Sequence, residues 1–92
     1  MAKAHTPRPP SGPGTPLLGT LEWFVISAGG QVTLGAVPPI GCAVIAHDGQ
    51  HTRVALQRQT NENLMRLLLR FDEALVRALD QNAVIDEINP RR

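Results

Sequence analysis

Charge is what the middle of this sequence lacks. Between Glu22 and Asp48 there is no Asp, Glu, Lys or Arg. Strands drawn from such a stretch carry no charged side chain to discourage pairing with another chain. Cysteine is nearly absent as well. Cys42 stands alone, which excludes an intramolecular disulfide and a disulfide-stapled secreted scaffold, and the expected compartment is the cytoplasm. Aromatic residues make up 3% of the chain, namely Trp23, Phe24 and Phe71, so the core must be built from Leu, Val, Ile and Ala with few large anchors. Neither sign of charge dominates: nine Lys and Arg stand against eight Asp and Glu, a balance that does not drive polyanion binding. Lys3, Arg8, Arg91 and Arg92 lie near the ends and read as solubilising.

No apolar run follows the first basic residues, so no secretory signal is expected. The uncharged stretch from Trp23 to Ala46 reaches the roughly 20 residues that a membrane-spanning helix needs. Gly29, Gly30, Gly35, Pro38, Pro39 and Gly41 would break such a helix, and Ser27, Gln31 and Thr33 keep the stretch only moderately apolar. No membrane association is expected.

Ninety-two residues make one small domain, which buries only about 60–65% of its unfolded surface. Residues 1–18 contain Pro7, Pro9, Pro10, Pro13 and Pro16 among Gly, Ser and Thr and read as a disordered arm. Pro7 and Pro10 have the spacing of an SH3-type ligand, but a plain flexible leader is the favoured reading. Residues 19–82 form the expected α+β domain, and 83–92 a C-terminal tail or clip.

Within the domain the sequence predicts a four-stranded antiparallel β-meander followed by one long amphipathic C-terminal helix packed on the sheet. Thr20 to Ser27 is rich in aromatic and β-branched residues and predicts a doubly covered strand. Ala28 to Gln31 supplies a turn, and Val32 to Val37 a second strand. Pro38-Pro39 ends it, because proline cannot donate to the ladder. Cys42 to Ala46 is the third strand, Asp48-Gly49 a hairpin signal, and Thr52 to Gln57 the fourth. A three-residue loop at Asp48–Gln50 pairs Val44 with Val54 and Cys42 with Leu56, matching apolar to apolar.

A helix is predicted from about Thr60 to Asn82, capped by Thr60 or Asn61, with Glu62 in its first turn. Leu64, Leu67, Leu68, Phe71, Ala74, Leu75, Ala78 and Leu79 form its sheet-facing stripe. Met65, Leu69 and Val76 widen the apolar arc to roughly 220°, more than one sheet surface uses. On the polar side Arg66, Arg70, Glu73, Arg77 and Asp80 stand at pairing distances and predict an ion-pair ladder. A phosphate site at Arg66, Arg70 and Arg77 is the less favoured reading, since Glu73 and Asp80 cancel the field. Val84, Ile85 and Ile88 would fall on the polar side if the helix continued, so it should break near Gln81-Asn82. The tail beyond should lie back on its own domain or dock on a neighbour.

Chemistry-bearing patterns are few. Cys42, His47, Asp48 and His51 are the one candidate cluster of metal ligands, but in the preferred register Cys42 points away from both histidines and the tetrahedral set fails. The same facing leaves the thiol without a base. Asp86 and Glu87 are adjacent with nothing to raise either pKa, and Gly12-Pro13-Gly14 lacks the setting of a phosphate loop. No enzyme, metal or cofactor is expected. The reading is a non-enzymatic protein-protein interaction or regulatory module, a homodimer joined through its helix or an open sheet edge, with Met65, Leu69, Val76, Val84, Ile85 and Ile88 as interface residues. The alternative is a dimeric single-stranded nucleic-acid binder. The order of four strands then a helix is similar in outline to the coactivator and Whirly class of such proteins, which implies contacts through Arg53, Arg58, His47 and His51.

Overall fold

A computed structural model describes residues 17–88. The Pro-rich arm, its Pro7-Pro10 spacing and the chain beyond Ile88 lie outside the described residues. The domain is α+β, but its elements differ from the predicted set at both ends. A short helix α1 (Gly19–Glu22) runs on into a single π turn (Trp23–Ser27). Three strands follow, β1 (Gln31–Val37), β2 (Gly41–His47) and β3 (Thr52–Gln57), then helix α2 (Leu64–Gln81) and a two-residue strand β4 (Ile85–Asp86). The sheet order is β1-β2-β3-β4. β1–β2 and β2–β3 are antiparallel, and β4 lies parallel to β3.

The first correction concerns Thr20 to Ser27, predicted as a strand and found as helix. Its apolar residues do not alternate. Thr20 and Phe24, four apart, are buried, Leu21 and Trp23 pack against the core, and Glu22, Val25 and Ile26 are exposed. That is helical spacing, and β-propensity yields to it because the preference of such residues depends on what they pack against. What they pack against is α2, and the Leu21 amide donates to Asp72 Oδ1 at 2.7 Å. The over-wide apolar arc of α2 therefore finds much of its second partner within the chain, on the side carrying Leu68 and Leu79.

The second correction is the sheet itself. It is mixed, because the fourth strand is supplied after the helix. Ile85 joins the ladder beside Val54 and packs against the core, so the tail lies back on its own domain. The strand boundaries around Pro38-Pro39 agree with the sequence: β1 stops at Val37, and the Ile40 amide closes the turn on the Val37 carbonyl at 2.7 Å.

The third correction is the β2–β3 register. Val44 pairs with Leu56 and Ala46 with Val54, while His47 pairs with Thr52 across an irregularity that leaves Arg53 as the extra residue. The connection holds four residues, Asp48 to His51, rather than three. The Asp48 carboxylate explains the length, because its Oδ1 accepts from the Gln50 and His51 amides at 2.9 and 2.8 Å, a local turn that fixes the chain before pairing starts. The slip amounts to two residues, so the facing survives, as the two-residue period of a strand requires. Val44, Ala46, Val54 and Leu56 share one buried face with Phe71, Leu67 and Leu75 of α2 and with Phe24.

Helix α2 starts later than predicted. Asn63 is its N-cap, with Oδ1 accepting from the Arg66 amide at 2.8 Å. Thr60 and Asn61 are not caps, and Glu62 lies ahead of the helix. Its end agrees with prediction: Asn82 takes a left-handed conformation, and its amide returns to the Ala78 carbonyl.

Candidate interaction surfaces

The residues expected to mark an interface fall into two groups. Met65 and Val76 are 47% and 37% exposed, Val84 is exposed, and Leu69 is half-buried. On a helical wheel Met65, Leu69 and Val76 share the side of α2 beyond the flank that meets α1, so one apolar stripe remains after α1 has docked. Ile85 and Ile88 are half-buried, Ile85 within the core and sheet, and the Ile88 amide is held by Asp86 Oδ1 at 2.9 Å. Those two serve their own domain.

The predicted ion-pair ladder along α2 is not formed. Among the described residues no ion pair joins Arg70 to Glu73, Glu73 to Arg77 or Arg77 to Asp80. Arg70 turns instead to the open end of β3. Its Nε and Nη2 donate to Glu62 at 2.8 and 3.0 Å, Nη1 donates to Glu87 at 2.7 Å, and Nη2 also reaches the Gln57 carbonyl at 2.9 Å. The guanidinium hydrogen bonds hold the Glu62 carboxyl down to about 2 from 4.5 against the opposing effect of burial, and Glu62 in turn raises Arg70. With all three guanidinium nitrogens engaged, Arg70 is a clamp and is drawn away from a phosphate site with Arg66 and Arg77. Nothing in the helix pattern signals this, because Glu62, Glu87 and Gln57 all lie outside the helix.

The nucleic-acid residues are likewise engaged or dispersed. Arg53 Nη2 donates to the Ala78 carbonyl at 3.2 Å and to Asn82 Oδ1 and the Ala83 carbonyl at 3.5 Å, while Nη1 reaches Asp48. It joins the Asn82 and Ala83 amides at the Ala78 carbonyl and so braces the turn that ends α2. Arg58 Nη1 donates to the Glu62 carbonyl at 2.7 Å. His47 Nδ1 accepts from the Gly49 amide at 3.0 Å, and His51 is exposed. Arg53 and Arg58 stand at opposite ends of β3, about 17 Å apart along the strand, so no basic track forms. The Asp48 carboxyl is lowered to about 2 by the His51 and Gln50 amides, with Arg53 contributing.

Among the described residues no three His, Cys, Asp or Glu side chains gather as a metal site. Cys42 sits on the helix-side face against the core, and His47 falls on the opposite face, as the sequence facing implies. No helix among them is long and apolar enough to cross a membrane. The order of four strands then a helix, on which the likeness to Whirly-class proteins rests, is not the order found: three strands precede α2 and one follows it.

No family model matches the chain, and comparison with curated proteins and with solved structures finds no match.

The two sheet edges differ. At the β3 edge, β4 covers Val54 and Ala55, and the Glu87 amide donates to the Ala55 carbonyl at 2.8 Å. Further along, Glu87 Oε1 takes the Gln57 amide and Arg70 takes the Gln57 carbonyl. Side chains thus finish what a two-residue strand cannot. At the other edge β1 offers seven residues, Gln31–Val37, none of them charged. Among the described residues only β2 bonds to this strand apart from the turn at Val37.

Proposed function

We propose that the protein is a small non-enzymatic protein-protein interaction module that associates with itself, through the open edge of β1 or the apolar stripe Met65, Leu69 and Val76. The observation that carries this reading is the asymmetry of the edges. One is closed with strand, carboxylate and guanidinium, and the other has no charge, no proline within the strand and no covering element among the described residues. The non-enzymatic part is supported by what the three groups with shifted ionisation do. Asp48, Glu62 and Arg70 all act in holding a turn or a chain end, and none faces a reactive partner. No observation favours nucleic-acid binding as a second reading, since Arg53 and Arg58 are committed to backbone carbonyls.

The test is molar mass by light scattering over a wide concentration range. A mass that rises towards a dimer is expected; one copy at every concentration overturns self-association.

A further inference from the structure

Resting on that reading, we propose that two copies pair β1 to β1 antiparallel about a two-fold axis at Leu34, joining two four-stranded sheets into one. β1 runs from Gln31 to Val37, so Leu34 is its centre and an axis there brings all seven residues into register. Leu34 then faces its own copy, Val32 faces Ala36, Thr33 faces Gly35 and Gln31 faces Val37. Antiparallel strands alternate bonded and non-bonded pairs. In this register every odd residue meets an odd one and every even residue an even one. Whichever set of amides points away from β2 therefore meets its own kind, giving about six to eight ladder hydrogen bonds.

The occupant follows from charge. A two-fold axis places like residues against like, and a strand edge bearing charge pays for that in repulsion. β1 has no charged residue, nor have the turns at either end of it, from Trp23 to His47. A second copy is thus matched without cost, whereas a charged foreign strand would find no counter-ion along this edge. The chain's own segment 1–16 is poorly suited to the same edge, because five prolines in it lack the amide that a ladder needs.

Surface area points the same way. A seven-residue edge is about 24 Å long, and a backbone strip of that length falls short of the roughly 800 Å² per partner buried in stable complexes. The missing area lies beside it. Leu34 is on the helix-side face and is 41% exposed, and the π turn that packs next to β1 exposes Val25 and Ile26. Continuing the sheet brings these apolar side chains of both copies over the new seam, where the helix layers would otherwise leave a gap.

The test uses charge at the axis in the full chain. Leu34→Lys and Leu34→Glu each place like charges face to face, and because Leu34 is outside the buried core both variants should keep the wild-type circular dichroism spectrum. Each alone is expected to be one copy where the wild type is two, and mixing them one to one should restore a dimer of one Lys-bearing and one Glu-bearing chain. Leu69→Glu combined with Val76→Glu should leave the dimer intact. If the Leu34 variants stay dimeric, or if the mixture stays monomeric, the β1 pairing is overturned. If only the Leu69 and Val76 variant dissociates, self-association stands and the helix stripe carries it. A wild-type monomer removes both. Should a Leu34 variant lose the folded spectrum, Thr33→Cys combined with Cys42→Ala carries a spin label on the exposed other face instead: the pairing sets the two labelled positions about 8 Å apart across the seam, so dipolar broadening of the dimer's spectrum is expected, and a dimer without broadening overturns the pairing.

Discussion

Replacing Arg70 with alanine should release the C-terminal strand and the chain before α2 together. The guanidinium ties Glu62, Glu87 and the Gln57 carbonyl with four hydrogen bonds between 2.7 and 3.0 Å. Glu62, whose side chain is only 9% exposed, would be left largely desolvated without its partner. Its shift from 4.5 to about 2 corresponds to about 3 kcal/mol of preference for the charged, bonded form. Arg70 is partly exposed, and solvent screening trims this to about 2 kcal/mol. For a domain of this size such a loss lowers Tm by about 8–16 °C, read by thermal denaturation at neutral pH.

The pH dependence has a definite sign. A carboxyl whose folded pKa is depressed binds fewer protons folded than unfolded, so its contribution is complete above the unfolded value and is lost as pH falls. The gap in Tm between wild type and Arg70→Ala should therefore be full at neutral pH and narrow as pH falls from about 4.5 towards about 2. Glu62→Gln should reproduce most of the loss, and combining it with Arg70→Ala should add little further. A Tm within about 3 °C of wild type at neutral pH would contradict a clamp of this magnitude, given the slope of about 4–8 °C per kcal/mol. So would a gap that does not change with pH.

Two further substitutions probe the elements that position the surfaces. A methyl group at Gly30 would overlap the edge of the Phe24 ring, which is buried; Gly30→Ala should destabilise by about 1–3 kcal/mol, measured in urea, and an unchanged midpoint would mean that the π turn is not packed as described. Asn63→Ala removes the cap on the Arg66 amide and should cost about 1 kcal/mol, whereas Thr60→Ala should cost less; the reverse order in thermal melts would restore the earlier helix start.

Much of this fold is legible in the sequence, and the parts that are not share one cause. The strand pair around Pro38-Pro39 and the Asp48-Gly49 turn follow from local chemistry, because proline and turn residues act within a few residues, and the stop near Asn82 follows from Val84, Ile85 and Ile88, which a continued helix would carry to its polar side. Thr20 to Ser27 is misread because its side chains suit either a strand or a helix, and the choice is made by the flank of α2 about 50 residues away. The sequence does contain the clue: an apolar arc too wide for one sheet implies a second partner, and the buried spacing from Thr20 to Phe24 is the spacing of a helix. β4 is missed because two residues carry no periodicity. The β2–β3 slip is missed because a register two residues away matches apolar to apolar equally well.

The candidate surfaces were only half legible. An uncharged stretch could be seen to threaten open edges, but not which edge would be closed. That depends on Arg70 and Glu87, which come together from α2 and the tail. Arg53 and Arg58 looked available for phosphates because a sequence does not show that each is absorbed by carbonyls at the end or the entrance of a helix.

Self-association of the full 92-residue chain is tested most directly by its molar mass in solution, by light scattering or sedimentation equilibrium across a wide concentration range. The predicted result is a reversible rise from 10.0 kDa for one copy towards twice that value, abolished by Leu34→Lys and unaffected by Leu69→Glu with Val76→Glu. A mass of one copy at every concentration would contradict it.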